Sequence, residues 1–219
     1  MSTLIWTKDF EDNSLADMSV TNGGQTVAIQ TSIYHGGTHA LRVYSPSDVA
    51  QYALYNCGAQ AAVNVGRFYM YFAAWPDNND LLMKVANDSD SGYLYFNTST
   101  KQVCADIGGS LGTYLNKTLS LTTWYCFDYK IAWNTTTWTM DFQIDGSAAT
   151  QFSAADTAAS GTNYVCFGSV LSASRDYYYD DIKLSQTAGD YPIGADTGTT
   201  LSVSVNEDRI EPAQRIIIG

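Results

Sequence analysis

A chain of 219 residues can bury a hydrophobic core without disulfide staples, and its length suits one large all-β domain with an appendage. Its formal charge of −11, from 22 acidic against 11 basic residues, repels phosphate backbones, and no stripe of Lys or Arg offsets that repulsion, so no nucleic acid partner is expected. No apolar run approaches bilayer-spanning length, so no membrane insertion is expected either.

The acids are almost all Asp, with Glu only at Glu11, Glu207 and Glu211. Asp suits turns and metal loops, whereas the abundant Tyr, Thr, Val, Trp and Phe are strand formers. Cys57, Cys104, Cys126 and Cys166 lie far apart without metal-type spacing and read as buried thiols.

In chain order, Met1 to Lys8 lacks the apolar core and cleavage site of a secretory signal, which points to synthesis in a cytoplasm. Strands are predicted at Thr26 to Thr31, Ala40 to Tyr44 and Gln51 to Tyr55. Arg67 to Trp75 carries Phe68, Met70 and Phe72 on one face and Tyr69, Tyr71 and Ala73 on the other, which predicts a central strand covered on both sides or lining a groove. Further strands follow at Leu81 to Val85, Tyr93 to Asn97 and Val103 to Ile107. Trp124 to Trp133 alternates, with Tyr125, Phe127, Tyr129, Ile131 and Trp133 on one side. A polar Asn134 to Thr137 loop then leads into Trp138 to Ile144, whose Trp138, Met140, Phe142 and Ile144 share one face. Asn163 to Phe167 and Tyr177 to Leu184 complete the set. More than ten short strands and no convincing helix predict an all-β, two-sheet antiparallel jelly-roll sandwich over residues 1–188, with a C-terminal extension over 189–219.

The extension is turn-rich from Gly189 to Gly198. It then presents Leu201, Val203 and Val205 in alternation and ends on Ile216, Ile217 and Ile218. A strand edge and an apolar end call for a partner surface, the alternative being that they fold back on their own sandwich.

Carboxylate pairs stand near both ends, at Phe10-Glu11-Asp12 and Tyr179-Asp180-Asp181-Ile182. If the first and last strands pair, these acids converge, either on a hard cation or as turn caps with Lys8 or Arg42 as charge partner.

The succession Phe10-Glu11-Asp12, Tyr34-His35-Gly36-Gly37-Thr38-His39-Ala40-Leu41-Arg42-Val43, Thr123-Trp124-Tyr125 and Tyr179-Asp180-Asp181-Ile182 resembles the concanavalin A-like, laminin-G-like jelly rolls and related carbohydrate-binding modules, over nearly the whole of the first 185 residues. Gly189-Asp190-Tyr191-Pro192-Ile193-Gly194 is similar to the segment that joins such a jelly roll to a short extension in tailed-phage structural proteins. The resemblance implies a structural Ca²⁺ held by Glu11 and Asp181, with backbone carbonyls near His35 and Gly36.

No single strand carries the spaced carboxylates of a glycosidase, and His35 and His39 both fall in the family's structural turn, so the chain is expected not to be an enzyme. The leading reading is a virion structural protein, made in the host cytoplasm and anchored through its extension to other virion proteins or to copies of itself. The alternative is a carbohydrate-binding module or adhesin for host surface polysaccharide, with Tyr69, Tyr71, Trp75, Tyr93 and Trp124 as stacking rings.

Overall fold

The computed structural model describes residues 4–21, 26–46, 49–59, 61–86, 91–133, 136–148, 150–155, 162–169, 171 and 173–194. Fifteen strands appear among them: β1 (Leu4–Lys8), β2 (Ser19–Thr21), β3 (Thr26–Gln30), β4 (Ala40–Ser45), β5 (Gln51–Ala59), β6 (Val63–Ala74), β7 (Asp80–Ala86), β8 (Ser91–Asn97), β9 (Gln102–Ile107), β10 (Ser110–Leu111), β11 (Trp124–Trp133), β12 (Thr137–Ile144), β13 (Thr150–Ala155), β14 (Thr162–Ser169) and β15 (Arg175–Ser185). A single 3-10 turn, Ala188–Asp190, follows. None of the described helical residues forms a span long and apolar enough to cross a membrane.

The strands pair antiparallel in two sheets. The larger runs β13-β12-β11-β6-β15-β4-β3 with β1 added beside β15, and the smaller runs β10-β9-β8-β7-β14-β5-β2. The two-sheet antiparallel sandwich anticipated from alternation is therefore the observed fold. The core lies between the sheets, where β12 sends Trp138, Met140, Phe142 and Ile144 inward, all fully buried. β6 occupies the middle of its sheet, its Phe68 ring stacked at 5.1 Å on Phe127 and set edge-on at 5.6 Å to Phe167 of the opposite sheet. β2 and β10 escape the sequence reading because they are too short to alternate, and β13 because its inner face holds only Thr150, Phe152 and Ala154, weakly apolar and half-buried.

Arg175, Asp80 and Tyr177 form a sealed polar group. The Arg175 guanidinium donates to Asp80 through Nε at 2.9 Å and Nη2 at 3.3 Å, and the Tyr177 hydroxyl donates to the same carboxylate at 2.9 Å. Burial pushes the Asp80 carboxyl above its ordinary value, against the pull of Arg175.

Two strands share one flank of β15. β4 pairs with Arg175 to Tyr179, and β1 pairs with Ile182 to Ser185. Asp180 and Asp181 fall at the junction, where the pairing with β6 shifts register and Asp181 adopts a left-handed φ of 47°. The residues that follow β1 and those that precede β4 must meet there.

Candidate functional site

Four outward residues of the larger sheet form one cross-strand row. Arg42 of β4 pairs in register with Tyr178 of β15, Tyr178 with Tyr71 of β6, and Tyr71 with Trp124 of β11. The row spans three strand spacings of ~4.8 Å, or about 14 Å. Tyr71 lies 5.8 Å from Tyr178 with their rings near perpendicular, and 5.4 Å from Trp124. Arg42 grips Asp176 with Nε at 2.8 Å and Nη2 at 2.9 Å, and its guanidinium lies 4.5 Å from the Tyr44 ring centre and 5.6 Å from that of Tyr178. Burial, then the neighbouring Asp176, push the Tyr178 phenol up, so it stays a neutral O–H donor. Tyr44, Tyr71 and Trp124 are half-buried, each supported at its edge with part of its surface open to solvent.

Of the five rings expected to stack on sugar, the fold brings three together. Tyr71 and Trp124 belong to the row, and Tyr69 lies beneath His35, whose imidazole stacks on it at 3.5 Å and meets Trp124 edge-on at 5.7 Å. Trp75 lies elsewhere, packed on Phe72 and Phe96 with the Lys101 ammonium 5.0 Å from its ring. Tyr93 stands on the smaller sheet, paired with Lys84 and Asp106. Tyr44, Asp176 and Tyr178 went unnoticed in the sequence, and Arg42, named there as a charge partner for the terminal acids, pairs with Asp176 instead. Their signal was the alternation of Arg42 and Tyr44 with the buried Leu41 and Val43.

The residues named for a metal converge on one turn. Glu11 accepts from Thr38 N–H at 2.8 Å, His39 N–H at 2.8 Å and the Thr38 hydroxyl at 3.0 Å. Those bonds, the Thr38 backbone first, hold its carboxyl below the ordinary value. Asp180 accepts from His35 N–H at 2.8 Å, Gly36 N–H at 3.2 Å and its neighbour's N–H at 2.8 Å. Burial nevertheless raises Asp180 to about 7, with Asp181 adding to the shift. Asp181 Oδ2 lies 2.7 Å from His35 Nδ1. A Cβ on Gly37, whose φ is +66°, would come within 2.3 Å of the Glu11 carboxylate, so the turn needs glycine there. The groups turned toward Glu11 and Asp180 are N–H and O–H donors, whereas Ca²⁺ requires oxygen acceptors. Among the described residues no three His, Cys, Asp or Glu side chains cluster as metal ligands. Glu11 and Asp180 thus close the turn through hydrogen bonds.

The segment after β15 crosses the other half of the same outer face. Gly194 N–H donates to Asp128 Oδ1 at 2.9 Å, and Arg67 Nη1 donates to the Gly194 carbonyl at 3.0 Å. The Tyr191 ring lies 5.1 Å from Lys130 Nζ, which pairs with Asp141 at 2.5 Å. Residues 185–194 thus mask Asp128 and Lys130 and stop short of the Arg42 to Trp124 row. The residues expected to drive assembly, Leu201, Val203, Val205, Ile216, Ile217 and Ile218, lie outside the described residues.

No protein-family model matches the chain, and no curated protein sequence matches it. Solved structures match its shape. A sialidase aligns with 86% of the chain at TM-score 0.59 and 10% identity, the match covering 19% of that protein. A Trypanosoma rangeli sialidase complex aligns with 84% at TM-score 0.54 and 11% identity, and the chain spans only 30% of its length. A glycosyl hydrolase family protein from Mycobacterium fortuitum aligns with 84% of the chain and 100% of its own length, at TM-score 0.53 and 10% identity. At such identities the likeness establishes the sandwich fold.

These matches correct the expectation that the chain is not an enzyme, since solved structures of this shape include proteins titled sialidase and glycosyl hydrolase. The expectation compared acids only within single strands, whereas a sandwich also sets acids side by side across strands. Asp128 of β11 and Asp141 of β12 stand on adjacent strands, diagonal to one another by two residues, because Asp128 pairs with Gln143 and Lys130 with Asp141. Both face outward from the larger sheet, a juxtaposition invisible in linear spacing.

Proposed function

We propose that this sandwich is a carbohydrate-binding domain that lays a glycan across the outer face of its larger sheet, along Arg42, Tyr178, Tyr71 and Trp124. The cross-strand row carries this reading. The faces of Tyr71 and Trp124 cover the apolar C–H surface of a pyranose, while the Arg42–Asp176 pair meets its hydroxyl groups. Packing and the bidentate ion pair hold these groups in place before any ligand arrives, which limits the ordering cost of binding. That a sialidase and a glycosyl hydrolase family protein share this fold supports the same ligand class.

Screening the chain against a glycan array, then repeating the positives with Tyr71→Ala and Trp124→Ala, tests the proposal. Each variant is expected to weaken binding about tenfold or more, equivalent to ~1.4 kcal/mol per decade. Affinity and number of sites both unchanged by the two substitutions, or an array without positives, would refute it. Assaying reducing-end release from the same glycans tests whether a bound chain is also cleaved.

A second reading places the sandwich on a virion, mounted through its C-terminal segment. Residues 185–194 support it by docking on the larger sheet, which gives the following chain a fixed point of departure. Electron microscopy of purified material tests it, a repeating assembly being the expected result and a lone globule the contrary one.

A further inference from the structure

We propose a second carbohydrate site on the opposite face of the sandwich, taking a neutral pyranose unit over Tyr93 with Lys84 and Asp106 on its two sides. In the smaller sheet, Lys84 of β7 pairs in register with Tyr93 of β8, and Tyr93 with Asp106 of β9. The inward neighbours Val85, Leu94 and Ala105 are fully buried, so Lys84, Tyr93 and Asp106 all point outward. The ring thus stands midway between an ammonium and a carboxylate separated by two strand spacings, about 10 Å.

Each flanking group has bonding capacity left for a ligand. Lys84 Nζ lies 5.7 Å from the Tyr93 ring centre and 5.5 Å from that of Tyr164, and among the described residues no carboxylate pairs with it. Asp106 takes a backbone N–H from Gly109, one bond to a carboxylate that can accept several. A sugar hydroxyl accepts from Lys84 on one side of the ring and donates to Asp106 on the other, while the C–H face rests on Tyr93. The local charges cancel and the chain carries −11 overall, so a neutral sugar fits better than an acidic one.

The site borrows only its ligand class from the function proposed above, and its position lets the two readings fail separately. Titration calorimetry with neutral cello-, xylo-, manno- and galacto-oligosaccharides, alongside a uronic acid oligomer, is the test. Two sites per chain are expected for at least one neutral sugar. Trp124→Ala should remove one and Tyr93→Ala the other, while Lys84→Met, which keeps the ring and most of the stem, should weaken the second about tenfold. Circular dichroism matching the parent checks that each variant is folded. A single site lost with Tyr93→Ala would support this inference and sink the row on the larger sheet. A single site lost only with Trp124→Ala would overturn this inference and leave that row standing. Binding of the uronic acid oligomer alone at Tyr93, or no binding at all, would also overturn it.

Discussion

Replacing Asp80 with Asn keeps the shape of the side chain and removes its charge from beneath Arg175, at a point where both side chains are fully buried. The guanidinium would keep its bonds to the carbonyls of Val49, Ser169 and Leu171 but lose its counter-charge in a low-dielectric interior. Breaking a buried pair from one side costs about 3–5 kcal/mol. In a chain of 219 residues each kcal/mol shifts Tm by about 2–4 °C, so Asp80→Asn should lower Tm by roughly 6–20 °C. Thermal unfolding followed by circular dichroism at pH 7 provides the measurement. The triple variant Asp80→Leu, Arg175→Met, Tyr177→Phe removes the stranded charge but leaves the carbonyls of Val49, Ser169 and Leu171 and the Leu81 N–H without those partners, so it should recover only part of the loss. A shift below about 2 °C in Asp80→Asn would refute the assignment of this pair as a buried anchor.

Other properties can be read on the same material. Burial pushes the thiols of Cys57, Cys126 and Cys166 up to about 12 and that of Cys104 to about 11. The thiolate fraction at pH 8 is then about one in a thousand or less, so Ellman's reagent should detect no fast-reacting thiol in the native protein and four after denaturation. Asp180 keeps its proton up to about 7 in the fold, whereas an unfolded Asp releases it near ~3.9. The native state therefore binds the extra proton in that window, and stability should fall by on the order of a few kcal/mol as pH rises from about 4 to 7. Asp180→Asn should flatten that slope, and an unchanged slope would remove Asp180 as its source. Since hydrogen bonds already saturate Glu11 and Asp180, adding EDTA should leave Tm unchanged. A drop reversed by Ca²⁺ but not Mg²⁺ would show that a cation closes the turn instead.

What could be read from the sequence follows from burial. Strands such as Trp138 to Ile144 alternate because one face must enter the core, so their existence and inward face were legible without coordinates. The convergence of Glu11 with the His35 to His39 turn was legible in outline, because acids at both ends of a closing sandwich must approach one another. The chemistry there was not: it depends on which way His35 and Gly36 turn their N–H groups, and on the left-handed backbone at Asp181. The binding row was legible only in fragments. Tyr71 and Trp124 could be named as aromatic residues in strands, but their alignment with Tyr178 and Arg42 is set by register between strands far apart in sequence. The same dependence on register hid Asp128 beside Asp141, and separated Tyr93 and Trp75 from the rings they were grouped with.

The central claim is that a glycan lies along the outer face of the larger sheet. A crystal structure with an oligosaccharide taken from the array positives tests it most directly. The account predicts sugar rings resting on Tyr71 and Trp124, with hydroxyl groups bonded to the Arg42–Asp176 pair. Sugar bound elsewhere on the molecule, with those two rings still open to solvent, would contradict it.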